Sequence, residues 1–305
     1  MIIPEKNYIL KVIILIKKNY FVYVLSILLS YLLLGIFVIP KTFSGDVYVS
    51  PVLISIGNLQ IRWYGFLIAF SILIATLIAE NRAKKENISQ DDFYSAVIFG
   101  VILGVIGARI YYVVFNLDYF LSNPFEIIMI NHGGMAIHGG ILGAILSVYL
   151  YTKFKKNSSI KFFQALDIFT FVLPLAQAIG RWGNFFNHEA YGTPTNLPWK
   201  MFVAIEHRMP GYENFEYFHP TFLYESLGNS IIFLFLLYYI NYKRKIKGEV
   251  TALYLMLYSV LRGFIELLRT DSLYFMGLKT NVIMSIILFI IGFSLFIYLR
   301  RKNNE

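Results

Sequence analysis

Apolar residues run through this chain in long blocks, without the one-sided periodicity of a soluble helix or the alternation of a half-buried strand. A block of about 20 apolar residues is long enough to cross a bilayer as a helix. The pattern predicts such helices over 20–39, 63–80, 93–115, 134–152, 163–180, 221–242, 250–269 and 281–299. Most connecting segments are short. The exception is 181–220, whose Pro194, Pro198, Pro210 and Pro220 read as a small irregular cap on the membrane body. The expected fold is an all-α polytopic membrane protein of about eight transmembrane helices.

Basic residues fall at alternate ends of these blocks. Lys6, Lys11, Lys17 and Lys18 precede the first; Arg82, Lys84 and Lys85 follow the second; Lys153, Lys155, Lys156 and Lys161 follow the fourth. Lys243, Arg244, Lys245 and Lys247 follow the sixth, and Arg300, Arg301 and Lys302 close the last. Cytoplasmic loops attract lysine and arginine in this way. Both termini are therefore expected in the cytoplasm, and the segments 40–62, 116–133, 181–220 and 270–280 on the outer side. Trp63, Trp182 and Trp199 all fall on that outer side, at interfacial depth. The first block follows lysines as a signal peptide would, but it is long and lacks a small-x-small cleavage site, so an uncleaved helix is expected. Gly100, Gly104 and Gly107, with Gly139 and Gly143, have the small-xxx-small spacing of closely packed helices.

Composition agrees. Of 305 residues, 57% are hydrophobic and 15% charged, against about 25% charged in soluble proteins. This excludes a soluble enzyme and a disordered chain. The absence of cysteine removes disulfides, thiol nucleophiles and thiolate metal sites. The net charge of +9 is accounted for by topology, so no nucleic-acid partner is expected.

Polar residues inside the predicted spans carry the chemistry. An arginine at mid-span costs about 2.5–3.5 kcal/mol on insertion scales. Arg109, Arg262 and Arg269 nevertheless lie within or near outer span ends, Arg181 caps another, and His138, Glu189, Glu225 and Glu266 share that side. Arg262, Glu266 and Arg269 fall on one helical face, as do Gln177, Arg181 and Asn184 if their helix continues through Gly183. Simple pairing of Arg262 with Glu266 would account for part of this. The set as a whole reads as a cationic pocket for an anion, the nearest being a lipid phosphate. His132 and His138 bracket a glycine-rich tract and can exchange protons near neutrality. His188, His207 and His219 lack metal-ligand spacing, and no zincin, nucleophile-elbow or P-loop pattern is present. Three classes stay open on these residues alone. A membrane enzyme fits; a transporter would spread charges through the bilayer depth; a lipid-binding scaffold would need the arginines and not His138.

The stretch Gly180-Arg-Trp-Gly-Asn-Phe-Phe-Asn-His-Glu-Ala-Tyr-Gly192 closely resembles the signature of the prolipoprotein diacylglyceryl transferase family, Gly-Arg-x-Gly-Asn-Phe-x-Asn-x-Glu-x-x-Gly. Segments resembling other family motifs follow the family's order at Ile61–Gly65, Gly107–Tyr111, Gly133–Gly140, Leu173–Gln177, His219–Glu225 and Arg262–Arg269. Thr270-Asp271 depart from the polar residue and proline often found there. The resemblance covers about residues 50–300. It implies a seven-helix body over 48–302, including the outer loop 181–220, and an N-terminal extension over 1–47 that adds one transmembrane helix.

The resemblance also implies a reaction. The diacylglyceryl group of phosphatidylglycerol moves to the lipobox cysteine thiol of a preprolipoprotein, a thioether forms and glycerol 1-phosphate leaves. On that reading His138 is the base, and Arg181 and Arg262 are the fixed cations facing the departing phosphate. Asn184, Asn187 and Glu189 orient headgroup hydroxyls, and Glu266 holds Arg262. Tyr64, Tyr224 and Glu225 line the substrate space; Gly192, Arg269 and Arg109 complete the expected binding set. No metal and no cofactor are expected, phosphatidylglycerol being a co-substrate. The expected partners are that lipid, the preprolipoprotein signal peptide and the bilayer. The expected setting is a monomer in the bacterial cytoplasmic membrane, with its site toward the outer face.

Overall fold

The computed structural model describes residues 22–57, 59–129 and 133–302. His132 and the four lysines ahead of the first helix lie outside the described residues. The chain forms two compact units: residues 1–75 with 170–305, and residues 76–169.

The first unit opens with α1 (Val22–Phe37) and the short α2 (Ile39–Phe43). A two-stranded antiparallel ribbon follows, β1 (Val52–Ile56) with β2 (Leu59–Arg62), leading into α3 (Trp63–Lys85). After the second unit the chain returns through α8 (Leu173–Phe186), α9 (Thr221–Tyr242), α10 (Glu249–Leu268) and α11 (Thr280–Lys302), numbered to leave α4–α7 for the second unit. Helices α9 and α10 pack on each other, α8 packs on α9, and α11 packs on α10. The central α9 has half of its span buried, against 17% for α11. Exposed Leu, Ile and Phe side chains cover the outward faces of α3 and α11, as a lipid solvent requires. Among the described residues, six helical stretches are long and apolar enough to cross a membrane, Phe162–Phe186 counting as one, and α1 is a shorter apolar helix.

The expected span 163–180 is interrupted. Helix α7 (Phe162–Thr170) ends, and α8 restarts with Pro174 in its first turn. Proline there lacks the N–H that a continuous helix would use and is tolerated at a fresh helix start. Helix α8 then continues through Gly183 to Phe186, as the spacing of Gln177, Arg181 and Asn184 anticipates.

The loop 181–220 has a core of its own. Trp182, Phe185, Tyr191, Met201, Val203, Phe218, Phe222 and Phe43 form one buried cluster. Short strands β3 (Met201–Phe202) and β4 (Tyr217–Phe218) pair antiparallel across it. Phe43 belongs to this cluster, and Tyr31 of α1 bonds Ser226 and Ser230 of α9 through its hydroxyl at 2.6 and 3.0 Å. The expected boundary at residues 47/48 therefore runs behind side chains embedded in the body.

The second unit is built on α4 (Gln90–Val114) against α6 (Ile137–Phe154), joined through the short α5 (Leu117–Ser122). Gly107 and Gly139 meet backbone to backbone: a methyl built on either would sit inside contact distance of the other's carbonyl oxygen. Gly143 meets the Leu103 carbonyl in the same way. The small-residue spacing thus marks a real crossing. Gly107→Ala is expected to cost about 1–3 kcal/mol, whereas Gly100→Ala, whose added carbon would lie 3.6 Å from Ser147 Oγ, is tolerated. Thermal unfolding of the two variants in detergent checks this; equal melting temperatures would show that α4 and α6 are not in contact at Gly107.

Candidate active site

Three helices of the first unit each present a polar stripe at i, i+4 spacing within an apolar surround. These are Gln177 and Arg181 on α8, Glu225 and Asn229 on α9, and Tyr254, Tyr258, Arg262 and Glu266 on α10. Side chains four apart stack on one helix face, so the stripes face one another where the helices pack. Glu225 is fully buried and joins them. Its Oε1 lies 2.6 Å from Arg181 Nη2 and its Oε2 3.2 Å from Arg262 Nη1. Arg262 Nη2 lies 2.7 Å from the buried Glu266 Oε2. The expected pairing of Arg262 with Glu266 is present, and Glu225, expected along the substrate space, is the strut between the two arginines.

Two guanidinium groups against two carboxylates leave the cluster charge-balanced, which is the condition for placing it in a low dielectric. The arginines still keep donors. Each guanidinium has five N–H groups, and these pairs use only some of them. The Arg181 and Arg262 side chains retain 24% and 14% of their exposure, so the remaining donors have an opening. Tyr258 is a further hydrogen-bond partner of Arg181. Below it Tyr254 stacks on Tyr258 at 5.6 Å and accepts from Gln177 Nε2 at 3.0 Å.

A polar relay leads from Arg181 toward the surface. Asn184 Oδ1 accepts from Arg181 Nη1 at 3.3 Å, and Asn184 Nδ2 donates to Glu189 Oε1 at 2.8 Å. Asn187 Nδ2 donates to the same oxygen at 3.3 Å. These three side chains hold one another, and Glu189 is the exposed end. Tyr64 lies against Gly183, where a methyl would come 2.6 Å from its ring. Tyr224 accepts from Trp199 Nε1 at 2.6 Å and lies 3.1 Å from His219 Nδ1. An indole nitrogen only donates, which leaves the tyrosine proton for His219. Burial pushes the His219 pKa down, favouring the neutral ring that accepts it.

Two expected ligands, Gly192 and Arg269, have structural contacts of their own. Gly192 is buried where a methyl would strike His219 Cβ and Thr221 Cγ2 at 2.8 Å, and its N–H donates to the His219 carbonyl at 2.9 Å. It serves by having no side chain. Arg269 is held by Asp271, through Nε and Nη2 at 2.7 Å each; the departure after Arg269 supplies that carboxylate. Sequence reasoning missed Lys279. It ends β6 (Leu278–Lys279, paired with β5, Tyr274–Phe275), directly before α11, and donates to the carbonyls of Glu266 and Arg269 at 2.8 and 2.9 Å. A lysine on the side that the charge pattern leaves poor in cations was the available signal.

His138 and Arg109 belong to the second unit. His138 stands exposed in the first turn of α6, its ring 5.9 Å from that of Tyr111. Arg109 is buried, and its donors are spent on backbone. Nε bonds the Ile127 carbonyl at 2.9 Å, Nη1 those of Gly133 and Gly134 at 2.6 and 2.9 Å, and Nη2 that of Glu126. Arg109, expected in the binding set, staples the loop that leads into α6, whose carbonyls take its donors.

This is a polytopic helical membrane protein with a buried arginine–carboxylate cluster where three of its helices pack. A model of the prolipoprotein diacylglyceryl transferase family matches residues 51–298. The chain is 48% identical to the phosphatidylglycerol–prolipoprotein diacylglyceryl transferase of Fervidobacterium nodosum, over 88% of this chain and 91% of that one. It is also 48% identical to the Thermotoga maritima enzyme of the same name, over 87% and 90%, and 44% identical to that of Clostridioides difficile, over 81% and 94%. The chain belongs to the prolipoprotein diacylglyceryl transferase family, and its activity is diacylglyceryl transfer in lipoprotein maturation.

Lys279→Met should fray the end of α10 that carries Arg262 and Glu266, since hydrogen bonds from a charged donor are worth about 1.5–3 kcal/mol and a cation there complements the helix dipole. Hydrogen exchange of the 266–269 amides should speed up, and Lys279→Arg should restore part of the protection. Unchanged exchange in the methionine variant would show that the lysine holds nothing.

Proposed function

We propose that this chain moves the diacylglyceryl group of phosphatidylglycerol onto the lipobox cysteine of a preprolipoprotein at the outer face of the bacterial cytoplasmic membrane. The observation that carries this reading is the pair of guanidinium groups fixed by one buried carboxylate, Glu225, with donors to spare. In the reaction the thiol sulfur attacks the glyceryl carbon that bears the phosphate. A carbon–sulfur bond forms, the carbon–oxygen bond breaks, and its electron pair leaves on the phosphate oxygen of glycerol 1-phosphate. The thiol proton goes to a base. A free thiol has a pKa of about 8.5, so a base raises the thiolate fraction, and His138 fills that role.

Arg181 and Arg262 meet the charge that grows on the phosphate. Fixed donors of this kind act most strongly where water is excluded. Glu225 and Glu266 position them. Asn184, Asn187 and Glu189 present the relay to the headgroup hydroxyls, and Tyr64 and Tyr224 bound the lipid space. The sulfur comes from the substrate, so the reaction as written needs neither metal nor organic cofactor. In this reading the monomeric chain crosses the membrane eight times, with α1 and the rest of residues 1–47 added to a body over 48–302.

Purified protein with phosphatidylglycerol and a lipobox peptide should yield the thioether; failure to form it would overturn the reading. Arg181→Lys and Arg262→Lys should each lower transfer by about a hundredfold, because a point charge cannot reproduce a bidentate fork on phosphate. Glu266→Gln, which touches only the positioning of Arg262, should cost about tenfold. Near-normal turnover in both lysine variants would eliminate the clamp. For topology, a cysteine replacing the exposed Asn196 should react with an impermeant maleimide in intact cells and one replacing the exposed Lys156 should not. The opposite labelling would put the site on the wrong side for its thiol substrate.

A further inference from the structure

The chain reverses between α6 and α7 over residues 155–161, with Asn157 in the left-handed region at φ 61°. An open hollow of about 600 Å³ lies against this turn, at the end of α6 opposite His138. Lys153, Lys155 and Lys161 line it, together with the side chains of Asn157 and Ser158, and no acidic residue does. Lys155 is committed to Asp92 at 2.6 Å. Asp92 also accepts from the Ser159 amide at 2.6 Å and the Tyr151 hydroxyl at 2.8 Å, which fixes the turn. Lys153 and Lys161 have no carboxylate partner among the described residues; Lys153 rests on the Tyr149 hydroxyl at 3.0 Å.

Two further features select an anion. Phe162 and Phe163 line the hollow as the first residues of α7, and first-turn amides of a helix have no carbonyl partner within it. A helix start of this kind favours negative charge and offers N–H groups to phosphate oxygens. The rim is apolar. Tyr149 and Phe163, which line it, are exposed, the arrangement of a surface with acyl chains on one side and headgroups on the other.

We propose that this hollow binds the phosphate of an anionic phospholipid of the leaflet on that side, between Lys153, Lys161 and the first turn of α7, with the aromatic rim against its acyl chains. The site is separate from the transfer reaction and does not rest on it.

The test uses the full-length protein carrying Phe163→Trp, titrated in zwitterionic detergent with phosphatidylserine brominated on its acyl chains, the signal being the quenching in excess of that of the native Trp63, Trp182 and Trp199 in the parent chain. Each lysine near an anionic surface contributes about a fivefold factor in affinity. Adding Lys153→Gln and Lys161→Gln should therefore raise the quenching midpoint about 25-fold, and the corresponding Arg pair should restore it. Brominated phosphatidylcholine should quench weakly in every variant. An unchanged midpoint in the Gln pair would overturn the site, and so would relief of quenching by millimolar inorganic phosphate, which would assign the hollow to a soluble anion. Native mass spectrometry of the same variants without the tryptophan keeps the proposal testable if the reporter disturbs the turn. One phosphatidylserine should be retained by the parent chain and lost from the Gln pair, and equal retention would refute it.

Discussion

Glu225 sits where a membrane protein can least tolerate an error. Its carboxylate is fully buried and shared by Arg181 and Arg262, which come from the two helices packed on either side of α9. Removing one partner of a buried pair leaves an uncompensated charge and costs about 3–5 kcal/mol. The bridge therefore sets the register of α8, α9 and α10 as well as the aim of two guanidinium groups. Structural pairing, one of the explanations that compete on the sequence alone, is present, and it is compatible with the other. Glu225 takes one edge of each guanidinium and leaves other donors of both unspent by the pair.

The second unit shows the opposite use of an intramembrane arginine. Arg109 lies as deep as the cluster arginines in sequence terms, yet its donors end on carbonyls of residues 126–134. The loop they hold leads directly into α6, whose first turn carries His138. Gly134, at φ 73°, has no room for a methyl beside the Arg109 guanidinium, so the glycine tract and the arginine are parts of one fastening. What separates the two kinds of arginine is the partner: a carbonyl belt exhausts the fork, and carboxylates on neighbouring helices leave part of it open.

This difference marks the limit of what the sequence discloses. Apolar blocks reveal spans because lipid enforces them, and the observed helices fall where the blocks lie. Arg181, Arg262 and Glu266 are legible because a charge in a span demands a reason, and for Arg262 and Glu266 the i, i+4 spacing says which neighbour supplies it. The partner of Arg109 is not legible, since backbone carbonyls leave no mark in the residue pattern. Glu225 is legible as a site residue and illegible as a strut, because its two partners lie 44 residues before it and 37 after it on helices whose packing order the pattern does not state. The break between α7 and α8 could be read from Pro174. The short ribbons of the cap could not, being two-residue strands held by the aromatic cluster around them.

The signature from Gly180 to Gly192 shows how fold and chemistry are divided within one motif. Arg181 belongs to the clamp, and Asn184, Asn187 and Glu189 form the relay that leads outward from it. The glycines do other work: Gly183 admits Tyr64, and Gly192 admits His219 and Thr221. Next to Gly192, the Thr193 amide donates to the Leu268 carbonyl at 2.7 Å, at the same helix end that Lys279 caps. The end of the motif is thus tied to the end of α10, and its beginning is tied through Glu225 to Arg262 one and a half turns earlier on that helix. A displacement of the α10 terminus would move both the clamp and the relay. The long interval in the motif between arginine and final glycine follows from this: the chain must leave the clamp, carry the relay to the surface, and return to the helix that supplies the second arginine.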